Sequence, residues 1–151
     1  MNPAPLRAVV DASVAVKIFV PEALSAQAQE VFARFASENG AELIVPDFFF
    51  IECANVLWKW VHRAGYPSKD VQEHLRDLTV LGLTVIPDQV VAEEALGIAL
   101  KHQITAYDAC YVAAGAQLRI PLITADEKLA MKLAKSSLKV HWLGDAQATP
   151  K

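Results

Sequence analysis

The sequence has few cysteines, few charges and no long apolar run, and each shortage excludes a class of protein. Cys53 and Cys110 are too few for a disulfide framework or a zinc-binding set. Only 21% of the 151 residues are charged and the formal net charge is −3, which excludes disorder and a basic nucleic-acid coat. No apolar stretch approaches the roughly 18 residues that span a membrane, and the first residues lack a secretory signal pattern. We therefore expect a cytoplasmic protein.

Apolar residues are abundant instead, at 54% of the chain. No linker, low-complexity tract or repeat divides them, so we expect a single domain over residues 1–151 with its core at about residues 7–143. Five short runs rich in Val, Ile and Leu are predicted strands: Arg7–Val10, Glu42–Val45, Leu83–Ile86, Pro121–Ile123 and Lys139–Leu143.

Longer helical patterns separate the predicted strands. They cover Leu24–Ser37, Asp47–His62, Ser68–Leu81, Val91–His102, Ala106–Leu118 and Glu127–Lys135. Asp47 and Ser68 are candidate N-caps of the second and third of these helices. The alternation predicts an α/β fold with a parallel sheet of roughly five strands and helices on both faces.

Two acidic residues closely follow predicted strands. Asp11 comes directly after Val10, with Ser13 two residues on, and Asp126 follows the fourth strand with Thr124 just before it. Parallel sheets bind ligands at the carboxyl ends of their strands, so both acids are candidate metal ligands. An N-cap of the next helix accounts equally well for either acid alone.

Two further acids lie on apolar helices. Glu52, Asn55 and Lys59 interrupt an otherwise apolar helix and share one of its faces. A buried, ionised Glu is costly unless it is paired or metal-bound, although the same stripe also fits a face turned to water. Asp108 is the one charge on a helix of small residues, and with Thr105 as N-cap it also fits an acid of the first helical turn.

The four acids together predict a metal centre. A doubly wound sheet brings strand ends and helix starts to one edge, where four carboxylates repel each other and at least one pKa rises. A hard divalent cation relieves that repulsion, and oxygen ligands suit Mg²⁺ or Mn²⁺. The lack of paired Cys and His ligands counts against zinc.

At these residues the sequence resembles the PIN-domain family, specifically the VapC-type toxin ribonucleases. The matching segments are Val9–Glu22, Pro46–Lys59 and Thr105–Leu129, and the match in order and spacing continues to about Leu143. The ordered family positions correspond to Asp11, Glu52, Asn55, Asp108, Thr124 and Asp126.

The resemblance implies a parallel α/β/α sandwich that cleaves RNA as an Mg²⁺- or Mn²⁺-dependent endoribonuclease. It also implies a homodimer and a small antitoxin that neutralises the enzyme as part of a type II toxin–antitoxin pair. The expected catalytic and metal-ligating residues are Asp11, Glu52, Asp108 and Asp126. Ser13, Thr124 and Asn55 are expected to position water or to orient these acids.

The RNA-binding residues are harder to predict for a chain with a net charge of −3. The candidates are Lys17, Lys59, Lys128 and Lys132. The last two begin a basic stripe that continues through Lys135 and Lys139 if the helix is long enough, and a solvated helix face explains the stripe as well.

Two other functions compete with the nuclease. A phosphatase-type Mg²⁺-dependent α/β hydrolase also has an Asp after its first strand, but it is expected to show Asp-x-Asp, whereas this chain has Asp11-Ala12-Ser13. A non-catalytic PIN-like RNA-binding module belongs to a different class. Cleavage of labelled RNA in Mn²⁺, abolished by EDTA, separates an enzyme from a binding module.

Overall fold

A five-stranded parallel sheet forms the centre of the computed structural model, which describes residues 2–145. The strands are β1 Arg7–Val10, β2 Glu42–Pro46, β3 Thr84–Ile86, β4 Leu122–Thr124 and β5 Val140–Trp142. Their order is β3-β2-β1-β4-β5, and all four pairings are parallel. The chain therefore moves outward from β1 through β2 to β3, then returns to the other side of β1. The carboxyl ends of β1 and β4 lie at this reversal, where such sheets bind ligands.

Seven α-helices flank the sheet within the described residues, and they complete the predicted three-layer α/β fold. They are α1 Ala12–Ala15, α2 Ser25–Ser37, α3 Phe49–Ala64, α4 Ser68–Thr79, α5 Asp88–His102, α6 Ala106–Leu118 and α7 Glu127–Leu133. A 3₁₀ turn, Val16–Ile18, continues α1. None of the helices in residues 2–145 has the length and apolar character needed to cross a membrane.

The Ala-rich helix α6 packs closely on the sheet, as its small residues predict. It contacts β1, β2 and β4, while α5 covers its outer side. An added Cβ at Gly115 would lie 2.8 Å from the main-chain oxygen of Ile120, so a larger residue there would push α6 away from the chain that enters β4. This close approach fixes the position of α6 relative to the ends of β1 and β4.

Two predicted N-caps are wrong. Helix α3 begins at Phe49 with Phe48 at the N-cap position and no side-chain cap, so Asp47 lies one residue too early to cap it. The Asp47 N–H donates to the Ile86 carbonyl at 3.0 Å, which extends the β2–β3 pairing. The carboxylate of Asp88 on α5 instead accepts from the Phe48 N–H at 3.2 Å. Ser68 is the first residue of α4 rather than its cap, since the extended Pro67 precedes it.

The predicted basic helical stripe is also interrupted. Helix α7 ends at Leu133, so Lys135 and Lys139 lie beyond it. The lysines of this region therefore do not share one continuous helical face.

Candidate active site

Asp11 is buried at the reversal of the sheet. With Thr124 it makes up the buried polar side chains among residues 2–145, and it is 5% exposed. Its Oδ1 accepts from the Val14 N–H at 3.3 Å and so caps α1, which confirms the capping interpretation. The same oxygen also accepts from the Ser13 hydroxyl, while Oδ2 accepts from the Thr124 hydroxyl at 2.5 Å. Capping therefore uses only part of this carboxylate.

Ser13 and Thr124 make matching connections on the two sides of Asp11. Each hydroxyl donates to one oxygen of the carboxylate. Each also accepts from a main-chain N–H just after β4: Ser13 from Ala125 and Thr124 from Asp126, both at 3.0 Å. The two hydroxyls thus join the carboxyl ends of β1 and β4 and hold Asp11 in one orientation.

Burial and nearby charge raise the pKa of Asp11 to about 6. Loss of water is the largest cause, because an ionised carboxylate is poorly solvated there. The Ser13 and Thr124 hydrogen bonds act in the opposite direction, and the charge of Asp108 adds to the rise. Asp11 and Asp108 are therefore close enough to interact electrostatically.

Glu52 reaches the same region from α3. Its pKa is raised to about 7, first by burial and then by the charge of Asp11, with a smaller contribution from Asp108. Glu52 Oε2 accepts from the Tyr111 hydroxyl at 3.3 Å. The ring of Phe48 packs against Tyr111 with centroids 5.2 Å apart and forms an apolar wall beside the carboxylate.

Asp108 and Asp126 lie at the starts of helices, as predicted. Thr105 caps α6, since its hydroxyl accepts from the Asp108 N–H at 3.1 Å. Asp126 caps α7, and its Oδ1 accepts from the Leu129 N–H at 3.1 Å. Burial and the charge of Asp126 raise the pKa of Asp108, while Thr105 and Lys132 lower it. Asp126 is exposed and is linked electrostatically to the cluster through Asp108.

The structure brings the four predicted acids to one region without forming a closed cage. Among residues 2–145, no three His, Cys, Asp or Glu side chains converge closely enough to hold a metal ion as they stand. Asn55 is exposed and makes no hydrogen bond to Glu52 in this part of the chain, so its role in orienting Glu52 stays a prediction. Cys53 and Cys110 are buried and free, as expected for small apolar side chains.

The candidate RNA-binding lysines lie in different surroundings. Lys17 is paired with Glu22 at 2.9 Å. Lys59 lines a surface pocket on α3, and Lys128 is exposed on α7. Lys132 is the one of the four whose charge acts on an acid of the cluster, since it lowers the pKa of Asp108.

Two tyrosines lie outside the set of predicted site residues. Tyr111 is buried and bonds Glu52, and Tyr107 precedes Asp108 and is 72% exposed. Tyr111 follows Asp108 by three residues, so helical spacing is the sequence signal that places it on the same side of α6. No local sequence pattern predicts that the Tyr111 hydroxyl bonds Glu52, because the two residues are 59 positions apart.

The sheet order and the acids at its reversal define an α/β protein of the class that binds a ligand at the carboxyl edge of a parallel sheet. Residues 8–133 match the family model of the PIN domain. The chain belongs to the PIN-domain family.

Three known proteins are similar to this chain. Ribonuclease VapC3 of Pyrobaculum aerophilum is 35% identical over 129 residues, which cover 84% of this chain and 95% of the relative. The crystal structure of PAE2754 from Pyrobaculum aerophilum superimposes with a TM-score of 0.65 at 23% identity and covers 90% of this chain and 83% of that one. A toxin–antitoxin complex from Klebsiella pneumoniae contains a chain with a TM-score of 0.61 at 18% identity, covering 90% of this chain and 97% of its own length. At these identities the two structures bear on the fold alone.

Proposed function

We propose that this protein is a metal-dependent endoribonuclease that hydrolyses RNA phosphodiester bonds as the toxin of a type II toxin–antitoxin pair. The observation that carries the proposal is the buried Asp11, held by two hydroxyls at the sheet reversal within electrostatic range of Glu52 and Asp108. The 35% identity to ribonuclease VapC3 supports the same activity. The proposal places the protein in the cytoplasm, where its RNA substrate is.

The proposed cation is Mg²⁺ or Mn²⁺, and the proposed ligands are Asp11, Glu52, Asp108 and Asp126. The donor atoms fit, because hard cations prefer carboxylate oxygens. Burial is the largest cause of the raised pKa values of Asp11 and Glu52, and charge adds to it: Asp108 acts on Asp11, and Asp11 and Asp108 act on Glu52. A cation would relieve that repulsion. Mg²⁺ usually keeps several waters and binds one or two carboxylates, so a closed cage is unnecessary. When bound, the cation supplies positive charge that stabilises the reacting phosphodiester and favours deprotonation of water.

The protein's own residues orient the ligands of this centre. Ser13 and Thr124 orient both oxygens of Asp11, which keeps the carboxylate ready to receive a cation. The Tyr111 hydroxyl donates to Oε2 of Glu52 and orients that carboxylate in the same way. Without a cation, burial and the charge of Asp11 raise the pKa of Glu52 to about 7, so a proton competes with the cation for Glu52 near neutral pH.

Two exposed apolar faces support the proposed protein partners. Ile51 and Trp58 on α3 are 75% and 56% exposed, and Leu96 and Leu100 project from α5. Exposed apolar patches mark sites of protein association. We propose that a small antitoxin and a second copy of the chain cover these faces. Light scattering of the protein purified alone and together with a co-expressed partner measures both associations.

Cleavage of end-labelled RNA tests the proposed activity. We expect cleavage in Mn²⁺ or Mg²⁺ and none in EDTA. Asp108→Asn removes a proposed ligand and should reduce cleavage about 10²-fold, whereas Asp77→Asn changes an exposed acid on α4 and should have no effect. Identical purification of both variants controls for contaminating nuclease. Cleavage that persists in EDTA, or that runs at the wild-type rate in Asp108→Asn, would contradict the proposal.

A further inference from the structure

A groove of about 600 Å³ lies between the C-terminal ends of α5 and α7. Its basic and hydroxyl-bearing lining residues are Lys101, His102, Lys132, Lys135, Ser136 and Ser137. One acid, Glu94, also lines the groove, so three lysines face one carboxylate. The groove is thus positively charged on a chain whose net charge is −3.

Lys132 connects this groove to the acid cluster. Its Nζ donates to the main-chain carbonyl of Gln103 at 3.1 Å, which fixes the ammonium group between α7 and the end of α5. Gln103 lies two residues before Thr105, whose hydroxyl caps the start of α6 by accepting from the Asp108 N–H. Lys132 therefore joins the groove to the segment that leads into the helix carrying Asp108.

Lys101 and Lys135 are the groove lysines with unused donors. Both are exposed, and neither makes a hydrogen bond or ion pair within residues 2–145. Lys101 lies in the last turn of α5, where a cation also interacts favourably with the helix dipole. Lys135 lies beyond the end of α7, and its ammonium group is open to a ligand.

We infer that this groove binds the sugar–phosphate backbone of the RNA on one side of the bond to be cleaved. The inference rests on the proposed nuclease function and adds the path of its substrate. Lysine ammonium groups neutralise phosphates and release condensed counterions, which contributes affinity that depends on salt. Such contacts do not read bases, so the groove contributes no sequence preference. An acidic protein segment is the competing occupant, but the contact of Lys132 with the segment that leads to Thr105 and Asp108 favours the substrate.

The test is the salt dependence of RNA binding. Fluorescence anisotropy with labelled oligouridine is measured over a KCl series in EDTA, which prevents metal-dependent cleavage. The variant Lys101→Ala/Lys135→Ala should flatten the slope of log K against log salt by about 0.7 for each phosphate that is no longer neutralised. The control Lys69→Ala/Arg76→Ala removes two exposed charges from α4 and should keep the wild-type slope. Oligoadenosine should give the same change as oligouridine.

Several outcomes would contradict RNA binding in the groove. One is an unchanged slope of log K against log salt in Lys101→Ala/Lys135→Ala. Another is an equal change of that slope in the control Lys69→Ala/Arg76→Ala. A lower melting temperature of the groove variant without a change in slope would mean that the two lysines have a structural role. A loss of polyglutamate binding without a loss of RNA binding would mean that the groove binds an acidic protein segment. Cleavage by the wild-type protein in Mn²⁺ is measured in parallel. If the wild-type protein does not cleave RNA, the nuclease proposal is contradicted. If it cleaves RNA but the slope of the groove variant is unchanged, only the proposed RNA binding in the groove is contradicted.

Discussion

Asp11 and Asp126 follow neighbouring strands, and each begins a helix by accepting a main-chain N–H, yet their surroundings differ. Asp11 is buried and receives two additional hydroxyl donors. Asp126 is exposed, and the carboxylate hydrogen bond in the structure is its cap to Leu129. The same local motif therefore brings both carboxylates to one edge of the sheet, and burial raises the pKa of Asp11 there.

The comparison ranks the acids by how much the site depends on them. Asp11 interacts electrostatically with both Glu52 and Asp108, whereas the link to Asp126 passes through Asp108. We therefore expect substitutions at Asp11 to have the largest effects and substitutions at Asp126 the smallest.

Asp11→Asn should reduce RNA cleavage on the order of 10³-fold, because it removes the central charge and leaves a side chain of nearly equal size. Its stability relative to the metal-free wild type should also rise with pH. The folded pKa of about 6 exceeds the ordinary value of 3.8, so the folded wild type binds more protons and loses stability as the pH rises from about 4 to about 6. A difference of this size corresponds to about 3 kcal/mol.

Thermal unfolding of both proteins in EDTA across this pH range measures the effect. The advantage of Asp11→Asn should grow up to about pH 6 and then level off, because Asn does not titrate. Wild-type cleavage by this variant would contradict the site assignment. A difference in unfolding free energy between the two proteins that stays constant from about pH 4 to about pH 6 would contradict the cost assigned to burial.

Thr124→Val should weaken Mn²⁺ binding about 10- to 100-fold, since Thr124 orients Oδ2 of Asp11. The substitution also removes a hydrogen bond that lowers the pKa of Asp11, so protons compete more strongly with the cation. Thr124→Ser keeps the hydroxyl and is the matched control. The Mn²⁺-dependent rise in melting temperature gives the affinity. Equal affinities of the Val and Ser variants would show that the hydroxyl is not needed.

Asp126→Asn should have the smallest effect, a loss of cleavage of less than about tenfold, with little change in stability because Asn is also a good N-cap. Asp126→Ala should lose about 1 kcal/mol of unfolding free energy with the cap. Urea denaturation and initial cleavage rates measure the two effects separately. If Asp126→Asn loses as much cleavage activity as Asp11→Asn, the site does not depend more on the buried acid than on the exposed one.

Local sequence signals predicted the strands to within one residue at each end and about half of the helix ends, whereas α5 begins three residues before the predicted Val91. Arg7–Val10 and Ala106–Leu118 have the predicted limits, and Thr105 caps its helix as expected. These features depend on residues a few positions apart. The family resemblance and the alternation of elements together predicted the parallel sheet.

The remaining contacts join residues that are far apart in the sequence. Thr124 bonds Asp11 across 113 positions, and Asp88 bonds the Phe48 N–H across 40. Periodicity and capping rules describe only neighbours along the chain, so they assigned the start of α3 to Asp47 and gave no partner for Tyr111. The order of the strands determines these contacts, and it is a property of the whole sheet.

The two hydroxyl connections between β1 and β4 also set the time at which the site is completed during synthesis. Asp11 leaves the ribosome early, but Thr124 and the N–H groups of Ala125 and Asp126 come more than 110 positions later. Until that segment emerges, the carboxylate has neither its hydroxyl from β4 nor the sheet edge that buries it. The carboxylate centre of a nascent chain is therefore incomplete until most of the domain has been translated.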